Sequence, residues 1–263
     1  MLILLPPSET KTRPGSGGPV QLQELSLPQL DDDRLRVLAA LEKVSGQRNA
    51  LEALGVGASL APEVQRNLSL RTEPAAPALQ IYTGVLYDAL GAQSLTAEQR
   101  RVAEDSVVVI SALWGAVRPT DRIPAYRLSM GTALRGLGKR EPVKLSSFWK
   151  PRLREALGPK AEGQLIIDCR SSAYSAAFAA PSETTVAVRA VTVSDDGQRK
   201  VVSHFAKHTR GELARHVLEQ VAQGRRVETA QELAEAAGTW WRVELEEPQG
   251  KRPGQLTVVL PAA

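Results

Sequence analysis

Three short, uniformly apolar segments stand out in the pattern of hydrophobic and polar positions along the chain. They are Leu2–Leu5, Val107–Ile110 and Leu165–Ile167. Each is too short for a typical buried helix, and prolines at positions 6 and 7 end the first one. We therefore predict three buried β-strands.

Helical and alternating periods account for much of the remaining chain. Three aspartates open a helix that begins at Asp31, where acidic side chains favour a helix N-terminus. Further helices are predicted at His204–Gln223 and Ala230–Ala237, a hairpin at Thr185–Val193 and Arg199–Ser203, and closing strands at Trp241–Leu245 and Leu256–Leu260. Since strands and helices alternate, we predict an α/β or mixed α+β fold. We expect one domain over residues 1–263, with a central, largely buried sheet flanked by helices.

A polar loop follows each of the three apolar segments. The loops are Pro6–Lys11, Ser111–Pro119 and Asp168–Tyr174, and each carries hydroxyl groups and a cation. Ligands collect at the carboxyl ends of buried strands, so we predict that the three loops line one anionic site. For each loop taken alone, the alternative is an ordinary connection whose Ser and Thr residues cap the next helix.

The segment Trp114–Gly131 shows neither a helical nor a strand period, although it is too apolar to be disordered. It contains Trp114, Arg118, Arg122, Tyr126 and Arg127. Long irregular segments of this kind are often functional, so we predict that these residues belong to the site. The alternative is a rigid surface loop.

The helix that follows Ser203 carries two cations within its apolar stripe. Lys207 and Arg210 fall there, which predicts that they are largely shielded and point into a polar cleft, unless they snorkel to solvent. His204, His208 and His216 fall on the polar face, and no Glu follows His204 in the arrangement of a zinc metalloprotease. We therefore expect solvated histidines and no metal site.

The segment Leu54–Gly57 alternates hydrophobic residues with Gly55 and Gly57 between two predicted helices. This pattern is typical of a helix-hairpin-helix, here at about residues 47–67, in which glycines let backbone N–H groups approach a DNA phosphate. A plain helix C-cap followed by a turn gives the same pattern.

Composition narrows the class of protein. The 263 residues are 43% hydrophobic and 24% charged, which is globular usage. Cys169 is the single cysteine, so a disulfide framework is excluded and a reducing cytoplasm is favoured. We find no leader peptide, membrane span, phosphate-binding loop or dinucleotide fingerprint, and we predict no cofactor. The net charge of +4 permits an anionic partner without requiring one.

Several motifs in order resemble the YaaA family of peroxide-stress proteins. They are the opening Leu-Leu-Pro-Pro-Ser-Glu-Thr-Lys, Tyr82–Tyr87, the block Ser111–Gly131, Phe148-Trp149, Ser172–Tyr174 and Ser203–Gly211. The resemblance implies a single-domain α/β fold with a helix-hairpin-helix, a positively charged cleft, binding to duplex and distorted DNA, and protection against peroxide. It supports Lys11, Arg118, Arg127, Lys207 and Arg210 as cleft cations.

Two functional hypotheses follow. The first is a cytoplasmic DNA-binding protein of peroxide-stress defence, which contacts DNA or another anion through those cations, Arg122 and the Gly55–Gly57 hairpin. The second is an enzyme that acts on a nucleotide, nucleobase or other small anion at the same cleft. Its candidate catalytic residues are Glu9, Lys11, Asp168 and Tyr174, and in both cases we expect Ser8, Tyr82, Trp114, Tyr126, Ser171 and Ser172 to line the cleft.

Overall fold

The fold is built around one eight-stranded sheet, seen in a computed structural model that describes residues 1–194, 198–200 and 203–261. The strands are β1 (Leu2–Leu5), β2 (Ala76–Pro77), β3 (Val107–Ser111), β4 (Gly115–Val117), β5 (Arg122–Ile123), β6 (Ala133–Leu134), β7 (Val143–Lys144), β8 (Ile166–Asp168), β9 (Thr185–Val193), β10 (Arg199–Lys200), β11 (Arg242–Glu246) and β12 (Gly254–Pro261). The main sheet has the order β11-β12-β9-β8-β1-β3-β4, and β10 pairs with β9. The pairs β2–β5 and β6–β7 form two small separate sheets.

The three predicted strands are neighbours at the centre of the sheet. β1 pairs in parallel with β3 on one side and with β8 on the other. All four residues of β1 are buried, as expected for a strand covered on both faces. The carboxyl ends of β1, β3 and β8 therefore lie at one edge, which we call the carboxyl edge.

Helices surround this sheet. They are α1 (Asp31–Ser45), α2 (Ala50–Leu54), α3 (Ala61–Arg66), α4 (Ala78–Ile81), α5 (Val85–Leu90), α6 (Ala97–Ser106), α7 (Leu145–Ala161), α8 (Ser172–Ser175), α9 (Ser203–Ala222) and α10 (Ala230–Ala237). The mixed α/β class with a central, mostly parallel sheet is confirmed. None of the helices in the described part of the chain is both long and apolar enough to cross a bilayer.

The helices α5 and α9 approach each other closely because α9 contains Gly211. A Cβ atom at this position would lie 2.1 Å from the carbonyl oxygen of Leu86. The same helix buries Leu213, Val217 and Leu218, which fall on its predicted apolar stripe. Glycine is thus required here by a close helix contact rather than by an unusual backbone angle.

His216 corrects the expectation of three solvated histidines. It is 1% exposed, and its Nε2 atom lies 3.0 Å from the carbonyl oxygen of Ala236 and 2.8 Å from Thr239 Oγ1. His208 is exposed and lies 3.2 Å from Glu212, as a polar-face residue should. The position of α10 against α9 buries one histidine that the helical period alone places at the surface.

The segment Trp114–Gly131 is also more regular than its sequence suggests, because β4 and β5 lie within it. Arg34, fully buried in α1, holds the turn into β4 by donating hydrogen bonds to the carbonyl oxygens of Trp114 and Ala116. The predicted hairpin is present as the antiparallel pair β9–β10, while its turn residues 195–197 lie outside the described residues.

Candidate functional site

Four buried tyrosines meet where the loops after β1, β3 and β8 converge. We call Tyr82, Tyr87, Tyr126 and Tyr174 the tyrosine cluster. Tyr82 and Tyr87 stack with their ring centroids 5.2 Å apart. Tyr174 lies in α8, after β8, and its phenol faces Ser129 and the backbone of Met130. Tyr174 comes from the predicted loop Asp168–Tyr174 and Tyr126 from the segment Trp114–Gly131, so the cluster joins two of the regions that the sequence singled out.

Hydroxyl groups connect the cluster to the end of β3. The phenol oxygens of Tyr82 and Tyr126 lie 3.2 Å apart, and Tyr126 Oη lies 2.8 Å from Ser111 Oγ. Tyr87 donates a 2.6 Å hydrogen bond to the carbonyl oxygen of Pro6. Burial raises the pKa of all four phenols well above the ordinary value, so they remain protonated and act as neutral hydrogen-bonding groups.

Lys11 lies against the tyrosine cluster. Its Nζ atom is 4.2 Å from the centroid of the Tyr126 ring and 5.6 Å from that of Tyr82, and it donates a 2.6 Å hydrogen bond to the carbonyl oxygen of Ser8. Burial lowers the pKa of this amine from 10.5 to about 7, although the negative charge of Glu9 opposes the shift. At neutral pH a large fraction of Lys11 is therefore uncharged.

Arg127 lies in the outer layer of the site and is paired with two carboxylates. Its Nη2 atom is 3.0 Å from Glu9 Oε2, and its Nη1 atom is 3.5 Å from Glu63 Oε2. Asn67 accepts a hydrogen bond from the Arg127 backbone and donates one to the Arg127 carbonyl oxygen. These contacts fix the segment but neutralise the cation, and a positively charged cleft stays a prediction.

The Gly55 turn opens onto the same place. A small pocket of about 180 Å³ is lined by Leu54, Gly55 and Val56 on one side and by Glu9, Arg127, Leu128 and Ser129 on the other. Gly55 has a φ of 65°, the left-handed geometry of a helix C-cap, and it ends α2 as predicted. Short helices flank the turn, but a DNA-binding helix-hairpin-helix is not shown and remains a prediction.

Asp168 forms a tight ion pair. Arg170 donates hydrogen bonds to both carboxylate oxygens, from Nε at 2.8 Å and from Nη2 at 2.7 Å, and a third from its backbone N–H. Burial opposes ionisation of Asp168, but the bonds and charge of Arg170 outweigh it and hold the pKa below its ordinary value. A carboxylate held in this way is poorly suited to take a proton from a substrate.

The two cations of α9 differ in exposure. Lys207 is exposed, which corrects the expectation that it is shielded, whereas Arg210 is half-buried. Arg210 Nε donates a 3.1 Å hydrogen bond to the carbonyl oxygen of Val188, and its charge favours ionised Asp168. Arg210 thus lies at the carboxyl edge beside β8, while Lys207 projects toward solvent one turn earlier.

Arg118 lies on the side of the sheet opposite the carboxyl edge, where the amino ends of β1, β3 and β8 lie. β4 runs antiparallel to β3, so the chain has already returned when it reaches position 118. The Arg118 guanidinium donates to the carbonyl oxygens of Glu104 and Asp105 at the end of α6. The structure therefore does not bring Arg118 to Lys11, because a three-residue strand reverses the chain between them.

Other predicted residues are scattered. Trp114 is fully buried and packs edge-on against Tyr126, so it belongs to the core rather than to an open cleft wall. Arg122 is exposed and lines a separate groove of about 790 Å³ together with Arg13 and Arg100. Ser171 and Ser172 are exposed at the start of α8.

Ser8 ties the loop after β1 to the segment that precedes α5, since its Oγ atom accepts a hydrogen bond from Thr83 N–H. Ser129, Tyr87 and Ser111 were not among the candidate site residues. Tyr87 lies within a motif of the resemblance, and Ser111 is the first residue after a predicted strand, so both had a signal in the sequence. Ser129 had none. Within the described ranges, no group of three or more His, Cys, Asp and Glu side chains could hold a metal ion.

Comparisons with known proteins agree with one another. A family model described as peroxide stress protein YaaA matches residues 1–244. A UPF0246 protein of Streptomyces coelicolor is 44% identical over 264 residues, covering 99% of this chain and 98% of its own length. A UPF0246 protein of Corynebacterium efficiens is 44% identical over 248 residues, covering 94% and 96%, and one of Dinoroseobacter shibae is 33% identical over 205 residues, covering 76% and 73%. The chain therefore belongs to the YaaA (UPF0246) family of peroxide stress proteins.

Proposed function

We propose that this protein binds duplex or distorted DNA in the cytoplasm during peroxide stress, with little sequence preference. The family description supplies the stress role. The observation that carries the DNA proposal is the Gly55–Gly57 turn, which projects between two short helices beside the carboxyl edge. DNA bound there would have its backbone at the turn and the neighbouring bases or sugars over the site.

The turn leaves its backbone accessible. Gly55, Gly57 and Ala58 are exposed, and a Cβ atom at either glycine would meet nothing within 4 Å. Within the part of the chain that the structure describes, the N–H groups of Gly57 and Ala58 have no hydrogen-bond partner. A DNA phosphate can accept from such groups without any contact to a base, which gives binding that is independent of sequence.

Cations near the turn and on α9 add charge to this surface. Arg48 precedes α2 and is exposed, and Lys207 is exposed at the beginning of α9. Neither has an ion-pair partner among the described residues. Because phosphate contacts release counterions, the affinity for DNA should fall steeply as salt increases.

The test is a pair of matched glycine substitutions measured by fluorescence anisotropy with a labelled duplex, a bubble and a junction. Gly57→Glu places a carboxylate on the turn, and Gly158→Glu places the same charge on α7. Both glycines have unstrained backbone angles and open space for a side chain. We expect Gly57→Glu to weaken binding at least 10-fold on all three DNAs and Gly158→Glu to change it less than twofold.

Two outcomes overturn the proposal. One is the absence of binding to any of the three DNAs by the unaltered protein at 50 mM salt. The other is equal affinity for the two glutamate variants, which would remove the turn from the interface.

A further inference from the structure

A hairpin close to the site carries most of the excess positive charge of the protein. The antiparallel strands β6 and β7 and their connection form residues 133–144, which we call the basic hairpin. It contains one carboxylate, Glu141, and four cations, Arg135, Lys139, Arg140 and Lys144. The basic hairpin therefore has a net charge of +3, compared with +4 for all 263 residues. The rest of the chain is close to neutral.

The four cations of the basic hairpin are available to a ligand. All four are exposed, and none of them has an ion-pair partner in the part of the chain that the structure describes. Asp33 of α1 is already occupied, since it lies 3.0 Å from Arg36 and 2.7 Å from Arg152. Like charges gathered in one hairpin repel one another, and an anionic partner would relieve that repulsion.

The basic hairpin is anchored to the protein and is not a loose loop. Its residues Leu134 and Leu137 are only 1% and 5% exposed. Arg36 donates a 3.1 Å hydrogen bond to the carbonyl oxygen of Leu137, and the Leu145 N–H closes the base of the hairpin on the carbonyl oxygen of Thr132. A frame that is already ordered loses little conformational freedom when it binds a partner.

The basic hairpin adjoins the proposed DNA surface. It begins at Ala133, four residues after Ser129, which lines the pocket at the Gly55 turn. Four residues span at most about 14 Å. A second path runs along α1, which rises about 14 Å from Arg36, at the hairpin, to Ser45, shortly before α2 and the turn. Because one turn of duplex DNA is about 34 Å long, one duplex can lie over both surfaces.

We propose that the basic hairpin is a second contact for the phosphate backbone of DNA, so that a duplex bound at the Gly55 turn continues along α1 and across residues 133–144. The lysine and arginine side chains bind phosphates there, and no base is read. This inference rests on the proposed DNA binding and adds the direction in which the duplex runs. It also assigns to the hairpin a large share of the salt dependence, because the Gly55 turn supplies neutral N–H groups.

The first test neutralises two cations of the hairpin. Lys139→Gln combined with Arg140→Gln is compared with Lys160→Gln combined with Arg225→Gln, which removes the same two charges from exposed positions at the end of α7 and just after α9. Affinity for a labelled duplex is measured by fluorescence anisotropy from 50 to 300 mM salt, and circular dichroism establishes that each variant folds. We expect the hairpin variant to bind at least 10-fold more weakly at low salt, with a salt slope lower by about two units. The control should change affinity less than twofold.

The second test locates the duplex. Cys169 is fully buried, so a thiol-reactive iron chelate attaches to an introduced cysteine and then cuts DNA that lies near it. Glu141→Cys places the chelate on the basic hairpin, and Glu162→Cys places it after α7; both positions are exposed, and neither change removes a cation. We expect at least 10-fold more cleavage of the duplex from Glu141→Cys.

Failure of this inference is distinct from failure of DNA binding. If the unaltered protein binds the duplex while the hairpin and control variants bind and cut it equally, the hairpin contact is overturned and DNA binding stands. If the unaltered protein binds no duplex at 50 mM salt, the proposed function falls and this inference falls with it. Hairpin-dependent binding to RNA or to an acidic protein, with DNA binding unchanged in the hairpin variant, would assign the basic hairpin to that partner and overturn the inference as well.

Discussion

The Nζ atom of Lys11 lies 4.2 Å from the centroid of the Tyr126 ring, in a site that favours the neutral amine over the ammonium ion. Its folded pKa of about 7 is below the ordinary value of 10.5. Between these values the unfolded chain binds more protons, so this group makes the free energy of unfolding rise with pH. Below pH 7 the burial of the charged Lys11 amine lowers the free energy of unfolding by its full amount. Above about pH 10.5 the amine is neutral in both the folded and the unfolded chain, and this destabilisation is absent.

Lys11→Met should therefore stabilise the protein at pH 6 and have a smaller effect at pH 10.5, with a difference of up to about 4 kcal/mol. Urea unfolding followed by circular dichroism at several pH values measures this. Lys43→Met, which alters an exposed lysine of α1, is the matched control. A Lys11→Met effect that does not change with pH would show that the amine stays charged in the folded protein.

Gly211→Ala should destabilise the protein by about 1–3 kcal/mol, because the new methyl group meets the Leu86 carbonyl oxygen and pushes α9 away from α5. Gly158→Ala is the matched helical control, since its Cβ atom enters open space. That substitution should stabilise by about 0.5–1 kcal/mol. Thermal unfolding of both variants tests the pair, and a neutral Gly211→Ala would mean that the two helices separate freely.

Asp168→Asn should cost about 3 kcal/mol in stability at pH 7, because it leaves the Arg170 guanidinium buried without its partner. The exposed pair Arg101–Glu98 gives the comparison, and Glu98→Gln should cost far less because solvent screens this pair. The folded pKa of Asp168 is depressed, so its contribution is present above the unfolded value of 3.8 and is lost as pH falls below it. Equal costs at pH 7 would contradict this assignment.

Lys207→Ala should weaken binding to every duplex by about 5-fold and lower the salt slope by roughly one unit. Arg118→Ala is the control, because Arg118 lies at the opposite edge of the sheet and binds backbone carbonyls of α6. Affinity measured from 50 to 300 mM salt separates the two. A larger effect from Arg118→Ala would place DNA on the other edge.

The central strands could be predicted because uniform apolar runs such as Leu2–Leu5 have few alternatives in so short a length. The end of α2 at Gly55 was also readable, since glycine favours the left-handed backbone found there. Missing from the prediction was α7, which contains Pro151 in its interior. A proline in a sequence predicts that a helix ends there. In the folded protein, tertiary packing of Phe148 and Trp149 into the core stabilises α7 in spite of the proline.

The site was predictable as a meeting of loops but not residue by residue. Lys11, Tyr126 and Tyr174 come together because their loops follow neighbouring strands. Arg118 does not join them, because β4 turns the chain back before it reaches this residue. A strand of three residues is too short to show an alternating pattern, so the sequence does not reveal this reversal. Helical angle alone could not separate Lys207 from Arg210 either, because the difference arises from a tertiary contact, the hydrogen bond of Arg210 to the carbonyl oxygen of Val188 in β9.

Cys169 is fully buried, and burial raises the pKa of its thiol to about 12. Hydrogen peroxide attacks the thiolate, and at neutral pH only about one molecule in 10⁵ would carry that form. The single sulfhydryl of this protein is thus shielded from solvent and held in the poorly reactive thiol form. A redox sensor needs an accessible thiolate of low pKa, and the surroundings of Cys169 provide neither of these conditions.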